Sequence, residues 1–529
     1  MGILDISNKE LVAYGIVAIL LYSAALAVYR VTLHPLAKFP GPRLAATTEW
    51  YEFYHDIVRQ GKFIWHIQKL HDQYGPIVRI MPNELHIRDP DYYDEIYAPS
   101  SKKKGQVGSL GSLDSITPSV TLGGSTGSVF ATADHNLHRQ RRAVLNPFFS
   151  KKSIADKEVQ IREKVEHLCR RLTAAATAAV TGEGEGEGEV VRVDVAFTAL
   201  TMDIITDFAF GERTTLLDEP DFGLVWKESL IKLSANGVIL RQFPWIWPVL
   251  KRIPLWLLQL LRSPAAGLVV WQHLVRARIE NIIALNREGA DKKVEGSIFQ
   301  TVLDSDVPPE EKSLDRLQDE AQIVVGAGTE TTAKSLSFIA FYLNEDPAKL
   351  QRARDEIKTA GPELDGSFSL AKLEKLPYLT ACIMEGLRMM SGVTGRLPRV
   401  AHETLHYQDW AIPAGTPVSQ MNWVVNNDPN IFPQPLEFRP DRWIEAERAG
   451  IRLDRYMVSF MRGSRSCLGI NLAWAELYLA LAYVIARFDL VPYDTVAERD
   501  IHIDRDLFVG VPKPESKGIR ATVVLVGKD

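Results

Sequence analysis

The feature that most restricts this chain is a cysteine at the mouth of an apolar run. Cys467 lies in Phe460-Met-Arg-Gly463-Ser-Arg465-Ser-Cys467-Leu-Gly469, and the sequence continues INLAWAELYLALAYVIARF. A stretch that is apolar on nearly every face forms a buried helix, so the sulfur is delivered into the core. The chain has 529 residues and only three cysteines, which excludes a disulfide framework and fits a reducing compartment. A thiol at the start of a helix sits near the positive end of the helix dipole, and Arg465 adds a full charge. Both favour the thiolate, which is a nucleophile or a metal ligand. The plain alternative is an inert buried cysteine ahead of a core helix.

The residues around the sulfur suit a flat group with anions on its rim. Gly463 and Gly469 allow a loop to pass close beneath such a disc. Phe460 can cover the sulfur against water, and Arg465 can donate to an anionic oxygen. Haem has this shape and carries two propionates. The phenylalanine, glycine, arginine, cysteine and glycine at these spacings resemble the cysteine loop of the cytochrome P-450 superfamily of haem-thiolate monooxygenases, microsomal type. The resemblance implies a mainly α fold, a triangular helical body with a smaller β-rich part. It also implies haem b, with Cys467 as the axial thiolate ligand of the iron and Phe460, Arg465 and Gly469 around it.

Leu11 to Tyr29 reads LVAYGIVAILLYSAALAVY without a charge. At ~1.5 Å per residue it spans most of a bilayer's ~30 Å apolar core. A cleaved signal peptide is the rival reading, but the run is long and lacks a basic leader. Arg30, His34, Lys38 and Arg43 follow it, which places the body on the cytosolic side. The organisation expected is a membrane anchor over 1–30, a proline-rich hinge over 31–43, and a haem-thiolate monooxygenase domain over 44–529. Endoplasmic reticulum is the membrane the resemblance implies.

Asp315 to Glu345 reads as one helix of ~45 Å, with Asp315 and Gln318 as a capping box and Pro347 beyond its end. Its middle is Gly326-Ala-Gly328-Thr-Glu330-Thr331-Thr332. Glycines cost roughly 1 kcal/mol each against alanine, and β-branched residues add to that. Small residues there leave room for oxygen and substrate beside Thr331 and Glu330. This resembles the family's oxygen-activation helix, where an acid–alcohol pair handles protons. The bland reading is a helix bent by threonine hydroxyls bonding to the previous turn, and the two are compatible.

Glu385 and Arg388, three apart in LPYLTACIMEGLRMM, share a helix face and can pair. With Arg442 they resemble the family's structural glutamate–arginine–arginine triad. His138 and Arg142, in DHNLHRQRRAVLNPFFS, align with the propionate-binding helix, where a tryptophan commonly stands in place of His138. Arg399 aligns with a further propionate arginine. Arg139 and Arg141 read as solvated charges, or as a face for an acidic redox partner.

Elsewhere, Ile77 to Arg88 suggests two short strands around a Met-Pro-Asn turn. Residues 105–133 read as a long loop, and Gly182 to Glu189 as an exposed acidic one. Phe243 to Leu258, FPWIWPVLKRIPLWLL, reads as a patch that dips into a membrane interface, with core packing as the competitor. The net charge of −5 gives no sign of nucleic-acid binding.

The resemblance implies insertion of one oxygen atom of dioxygen into a hydrophobic small molecule, with electrons from NADPH–cytochrome P-450 reductase or cytochrome b5. Val324, Val325, Ala327, Val393, Thr394, Phe508 and Val509 are the positions it places near the haem, and none is charged. The wording of the sequence is similar to fungal secondary-metabolism members of the trichodiene-oxygenase-like group, which implies a terpenoid or polyketide–terpenoid substrate. Competing readings are a haem-thiolate rearrangement or desaturation enzyme, a haem sensor, and a membrane-anchored thiol hydrolase.

Overall fold

Apolar periodicity organises this chain into helices before anything else. The computed structural model describes residues 8–97, 114–115, 124–178, 189–212, 214–250, 252–260, 265–289, 296–361, 363 and 366–527. They form two compact units, Met1–Asp114 with Arg396–Gln420, and Ser115–Gly395 with Met421–Asp529. Most of the sequence expected as a loop over 105–133, and all but Glu189 of the acidic repeat, lie outside the described residues.

The first unit begins with the helix Asn8–Thr32, 25 residues with none buried. A helix that leaves so long a run of apolar side chains exposed has no aqueous reason to exist, and it is a candidate membrane anchor. The helix Ile470–Arg487 also passes a length-and-composition test, but most of it is buried in the protein. After Thr32 the chain turns and packs down. Leu36 and Phe39 are buried, the Phe39 ring stacks on Trp410 at 4.9 Å, and Arg79 N–H donates to Pro40 O at 2.7 Å. Gly41 is required there: a Cβ would stand 2.5 Å from Arg79 O. The Met-Pro-Asn turn joins the antiparallel strands Ile77–Arg79 and Leu85–Ile87, as expected, with Ile77 opposite Ile87. Pro417–Ser419 then adds in parallel to Leu85–Ile87, and Arg399–Val400 pairs with it antiparallel.

The second unit is mostly helical. Its axis is the helix Leu314–Asn344, 31 residues with a continuous helical backbone. The expected capping box is absent, because the helix starts at Leu314 and the N-cap Ser313 makes no side-chain bond. Asp315 instead accepts from Arg276 Nη1 at 2.7 Å, and Gln318 from the same nitrogen at 2.8 Å. Val193–Phe210 lies close against the long helix: Thr201 Oγ1 donates to Thr329 O at 2.9 Å. Ile470–Arg487 supplies much of the core, from Leu472 to Ile485. The β structure of this unit is small, a three-stranded sheet (Val190–Arg192, Arg520–Leu525, Phe488–Pro492) and a hairpin (Arg505–Leu507 with Val509–Val511).

The proline- and tryptophan-rich segment breaks into two short helices, Ile246–Leu250 and Leu255–Leu260. Its side chains divide between core and surface. Trp247 is buried, whereas Trp245, Trp256 and Leu260 are each more than 60% exposed (66%, 64% and 70%).

Candidate active site

The cysteine loop is shaped by its glycine and by one backbone bond. Gly463 takes φ +71, a left-handed conformation that favours glycine. Cys467 N–H donates to Phe460 O at 2.8 Å, which closes the loop over itself. The Phe460 ring packs 6.3 Å from Trp474, on the helix that follows, so the two ends of the loop share one apolar wall. Gly469 has an ordinary φ of −86, so conformation is not its reason. An added Cβ there would meet nothing within 4 Å.

The loop is braced from behind by a buried polar chain. Glu385 and Arg388 are both fully buried on the helix Pro377–Met390 and pair bidentately, at 2.8 and 3.0 Å. Arg442 Nε reaches the same carboxylate at 3.0 Å and Trp443 Nε1 completes it at 3.0 Å. The expected triad is therefore assembled. Arg388 Nη1 donates to Asn426 O at 2.9 Å. The Asn426 side chain accepts from Val458 N–H at 3.0 Å and donates to Ser459 Oγ at 3.0 Å. Ser459 precedes Phe460, so triad and cysteine loop are one connected structure. Asn426 was not singled out by the sequence, because a lone asparagine in a polar stretch carries no signal.

Cys467 differs from the sequence expectation in its electrostatics. Burial pushes its thiol above the ordinary range, opposed by the Gly469 N–H and by Arg142. Arg465 is not its neighbouring charge. Its guanidinium donates to Thr132 O and Ala133 O at 2.7 and 2.6 Å. Arg142 Nη1 donates to Ser466 O at 2.5 Å, directly before the cysteine. Arg142 stands on the helix His135–Leu145, which Asp134 caps by accepting from Leu137 N–H at 2.7 Å. His138 is buried one turn earlier on that helix. Arg141 is not a solvated charge: it pairs with Glu311 through two nitrogens at 2.8 Å and donates to Gly127 O and Thr132 Oγ1. Arg139 is exposed. In the other unit, Arg399 is buried, donates to Leu397 O and Pro398 O at 3.1 Å, and lies 5.2 Å from the centre of the Tyr97 ring.

On the long helix, Thr331 Oγ1 donates to Ala327 O at 2.8 Å, so the hydroxyl's remaining lone pairs can accept. Glu330 is buried and forms an ion pair with Lys334 Nζ at 2.8 Å. Burial raises its carboxyl and the cations Lys334 and Lys227 lower it; the cations prevail, and it stays below the usual carboxylate range. The two glycines have different reasons. A Cβ on Gly328 would stand 2.7 Å from Ile205 Cγ1, so this glycine serves helix packing rather than an open groove. Open space lies at Gly326, where a Cβ meets nothing within 4 Å. Ala327 is exposed, with Gly326 and Gly328 half-buried on either side of it. Among the other positions near the haem by resemblance, Val393 bridges Val509 and Thr394 N–H donates to Phe508 O at 3.1 Å.

Cys467 likewise presents accessible surface, although protein desolvates its thiol. An accessible thiol, a glycine two residues on with nothing crowding it, and an aromatic ring against the loop fit a sulfur-ligated haem.

Comparison with known proteins agrees in breadth. A family model described as cytochrome P-450 matches residues 46–517. The chain is 41% identical over 505 residues to conidiogenone synthase of Penicillium rubens, a match covering 95% of this chain and 97% of that protein. It is 38% identical over 499 residues to tryptophan 6-hydroxylase of Fusarium equiseti, covering 94% of each. It is also 38% identical over 496 residues to the cytochrome P-450 monooxygenase TRI4 of Trichoderma arundinaceum, covering 93% of this chain and 92% of that one. With a match of that extent, the chain belongs to the cytochrome P-450 family of haem-thiolate monooxygenases.

Proposed function

We propose that this protein is a membrane-anchored monooxygenase that oxygenates a neutral, hydrophobic intermediate of fungal secondary metabolism, a terpenoid or a mixed polyketide–terpenoid. The observation that carries the substrate class is the chemistry of the positions assigned to the haem side. Val324, Val325, Ala327, Val393, Phe508 and Val509 offer no charge with which to hold an amino-acid zwitterion. The name of one relative, conidiogenone synthase, supports a fungal metabolite over a free amino acid, whereas that of another, tryptophan 6-hydroxylase, points the other way.

In this reading Cys467 ligates the iron, with Phe460 and Gly469 shaping the loop. Arg142 and Arg465 hold propionates. His138 lies beside them on the helix, and Arg399 is assigned on the resemblance alone. Bound haem supplies oxygen activation, with electron density pushed from the thiolate. The chain's own part is to exclude water, to orient the substrate, and to move protons through Glu330 and Thr331. Electrons come from NADPH–cytochrome P-450 reductase, with cytochrome b5 as an alternative donor. Arg30, Lys38 and Arg43 after the apolar helix favour a cytosolic body on the endoplasmic reticulum. The exposed Trp245, Trp256 and Leu260 support a second contact with lipid.

The test is expression with its reductase in a host fed candidate terpenoid and polyketide–terpenoid precursors under isotopically labelled dioxygen. A product carrying one labelled oxygen supports the reading. An unlabelled isomer or desaturated product replaces it with rearrangement or desaturation, and turnover of tryptophan alone overturns the substrate class.

A further inference from the structure

A line of alternating buried charges runs up to Glu330. Arg192, a third exposed (side chain 33%), donates to both oxygens of Asp194 at 2.9 and 3.0 Å. Asp194 is buried and meets Lys227 Nζ at 3.2 Å. Lys227 is buried too, and it also donates to Asp194 O at 3.1 Å and Thr198 Oγ1 at 3.4 Å. The field of Lys227 and Asp194 reaches Glu330 across the helix packing. On the far side stands Lys334, one turn along the long helix, with the glutamate N-terminal to the lysine, the favourable order. Lys334 is itself pinned, because its Nζ donates to Gly510 O at 3.1 Å on the hairpin strand Val509–Val511.

We propose that Lys334 is a positioning residue that holds Glu330 as a buried carboxylate, with the Asp194–Lys227 pair as the second support. The proposal rests on the reading of Glu330 and Thr331 as the proton-handling pair. A buried carboxylate without a cation would take up a proton and keep it. The ion pair meets at 2.8 Å, yet neither Glu330 oxygen meets hydrogen-bond geometry with the described residues. The carboxylate therefore keeps acceptor capacity. It can take a proton from water on one lone pair and return it through another. Thr331 is the adjacent residue, and its hydroxyl is already committed as a donor to Ala327 O, which orients its lone pairs as acceptors. The groups facing Glu330 are Lys334 from its own helix, Lys227 from Leu224–Gln242, and Asp194 from Val193–Phe210.

The direct readout needs no turnover. Infrared difference spectra of the resting, full-length haem protein near neutral pH report protonated buried carboxyls, and loss of a band in Glu330→Gln assigns it. The wild type should show no Glu330 acid band. Lys334→Met and Lys334→Gln should each show one, with the protonated fraction raised about tenfold or more, and Lys334→Arg should suppress it again. Product formed per NADPH should fall in the Met and Gln variants and recover in the Arg variant, most clearly on the acid side of the pH profile, with the deficit closing as rising pH ionises Glu330 again. No acid band in either neutral variant, or an Arg variant indistinguishable from Met, overturns the proposal. Full coupling in Thr331→Ala alongside the expected infrared result would remove the proton-handling reading and leave the electrostatic hold intact, so the two fail separately.

Discussion

Two alanine substitutions two residues apart should change stability in opposite directions. Gly326 and Gly328 both lie in the interior of the helix Leu314–Asn344. Alanine is favoured over glycine in a helix interior by about 0.8–1 kcal/mol. At Gly326 the new methyl meets nothing within 4 Å, so Gly326→Ala should stabilise the fold by about 1 kcal/mol. At Gly328 the methyl would lie 2.7 Å from Ile205 Cγ1 and 3.2 Å from its Cβ and Cδ1. Such overpacking costs about 1–3 kcal/mol, and the propensity gain offsets part of it, leaving a net loss of about 1 kcal/mol. The assay is the urea midpoint at constant slope, followed by circular dichroism on the detergent-solubilised protein. In an Ile205→Ala background Cγ1 and Cδ1 are gone and only the Cβ at 3.2 Å remains, so most of the cost of Gly328→Ala should disappear. If Gly328→Ala matches Gly326→Ala in the native background, the close approach of the two helices is wrong.

Three further outcomes follow from the same geometry. Thr331→Ala should retain haem and still consume NADPH, with electrons diverted to hydrogen peroxide; product and peroxide per NADPH are the quantities to compare, and unchanged coupling refutes the role of the hydroxyl. His71 Nε2 and His86 Nδ1 are 2.6 Å apart and buried, with His71 Nδ1 2.7 Å from Gly75 O. Burial holds His71 down to about 4 and His86 well below its ordinary value. Folded values below the unfolded value mean that the stability is present above the unfolded value and lost as pH falls through it, about 2 kcal/mol at pH 5 from His71. Unfolding free energy should drop between pH 7.5 and pH 5 by more in the wild type than in His71→Gln/His86→Gln, and equal slopes would contradict this. Deleting residues 1–29 should release the protein at least partly from microsomes with haem intact, whereas a mature chain starting after Tyr29 would identify a cleaved signal.

What could be read from the sequence is what depends on local pattern. The glycines and cysteine of the 460–469 loop, the long helix through Thr331, the strand pair around Met81-Pro82-Asn83 and the Glu385–Arg388 pair all have fixed spacing along the chain. The misreadings involve partners far away in sequence. Arg465 was placed beside the sulfur because it is two residues from it, yet it bonds carbonyls at 132 and 133. Gly328 was given to an open groove, because nothing in its neighbourhood announces Ile205. Arg141 looked solvated in a basic run, and Glu311 decides otherwise. Arg396 drew no reading at all, although it is buried against Glu52 and Glu84 at 2.5 and 3.0 Å. The Glu330–Lys334 pair, four residues apart, was visible in the sequence and passed over.

The most direct measurement is the spectrum of the reduced protein under carbon monoxide in single-cysteine variants. Cys169 and Cys382 are buried, and burial pushes both thiols up, Cys169 to about 12. Neither should matter to the metal. The wild type, Cys169→Ala and Cys382→Ala should all show the strongly red-shifted Soret band of thiolate-ligated haem, and Cys467→Ala should lose it. A Cys467→Ala protein that keeps that band would contradict the assignment of this residue as the iron's ligand.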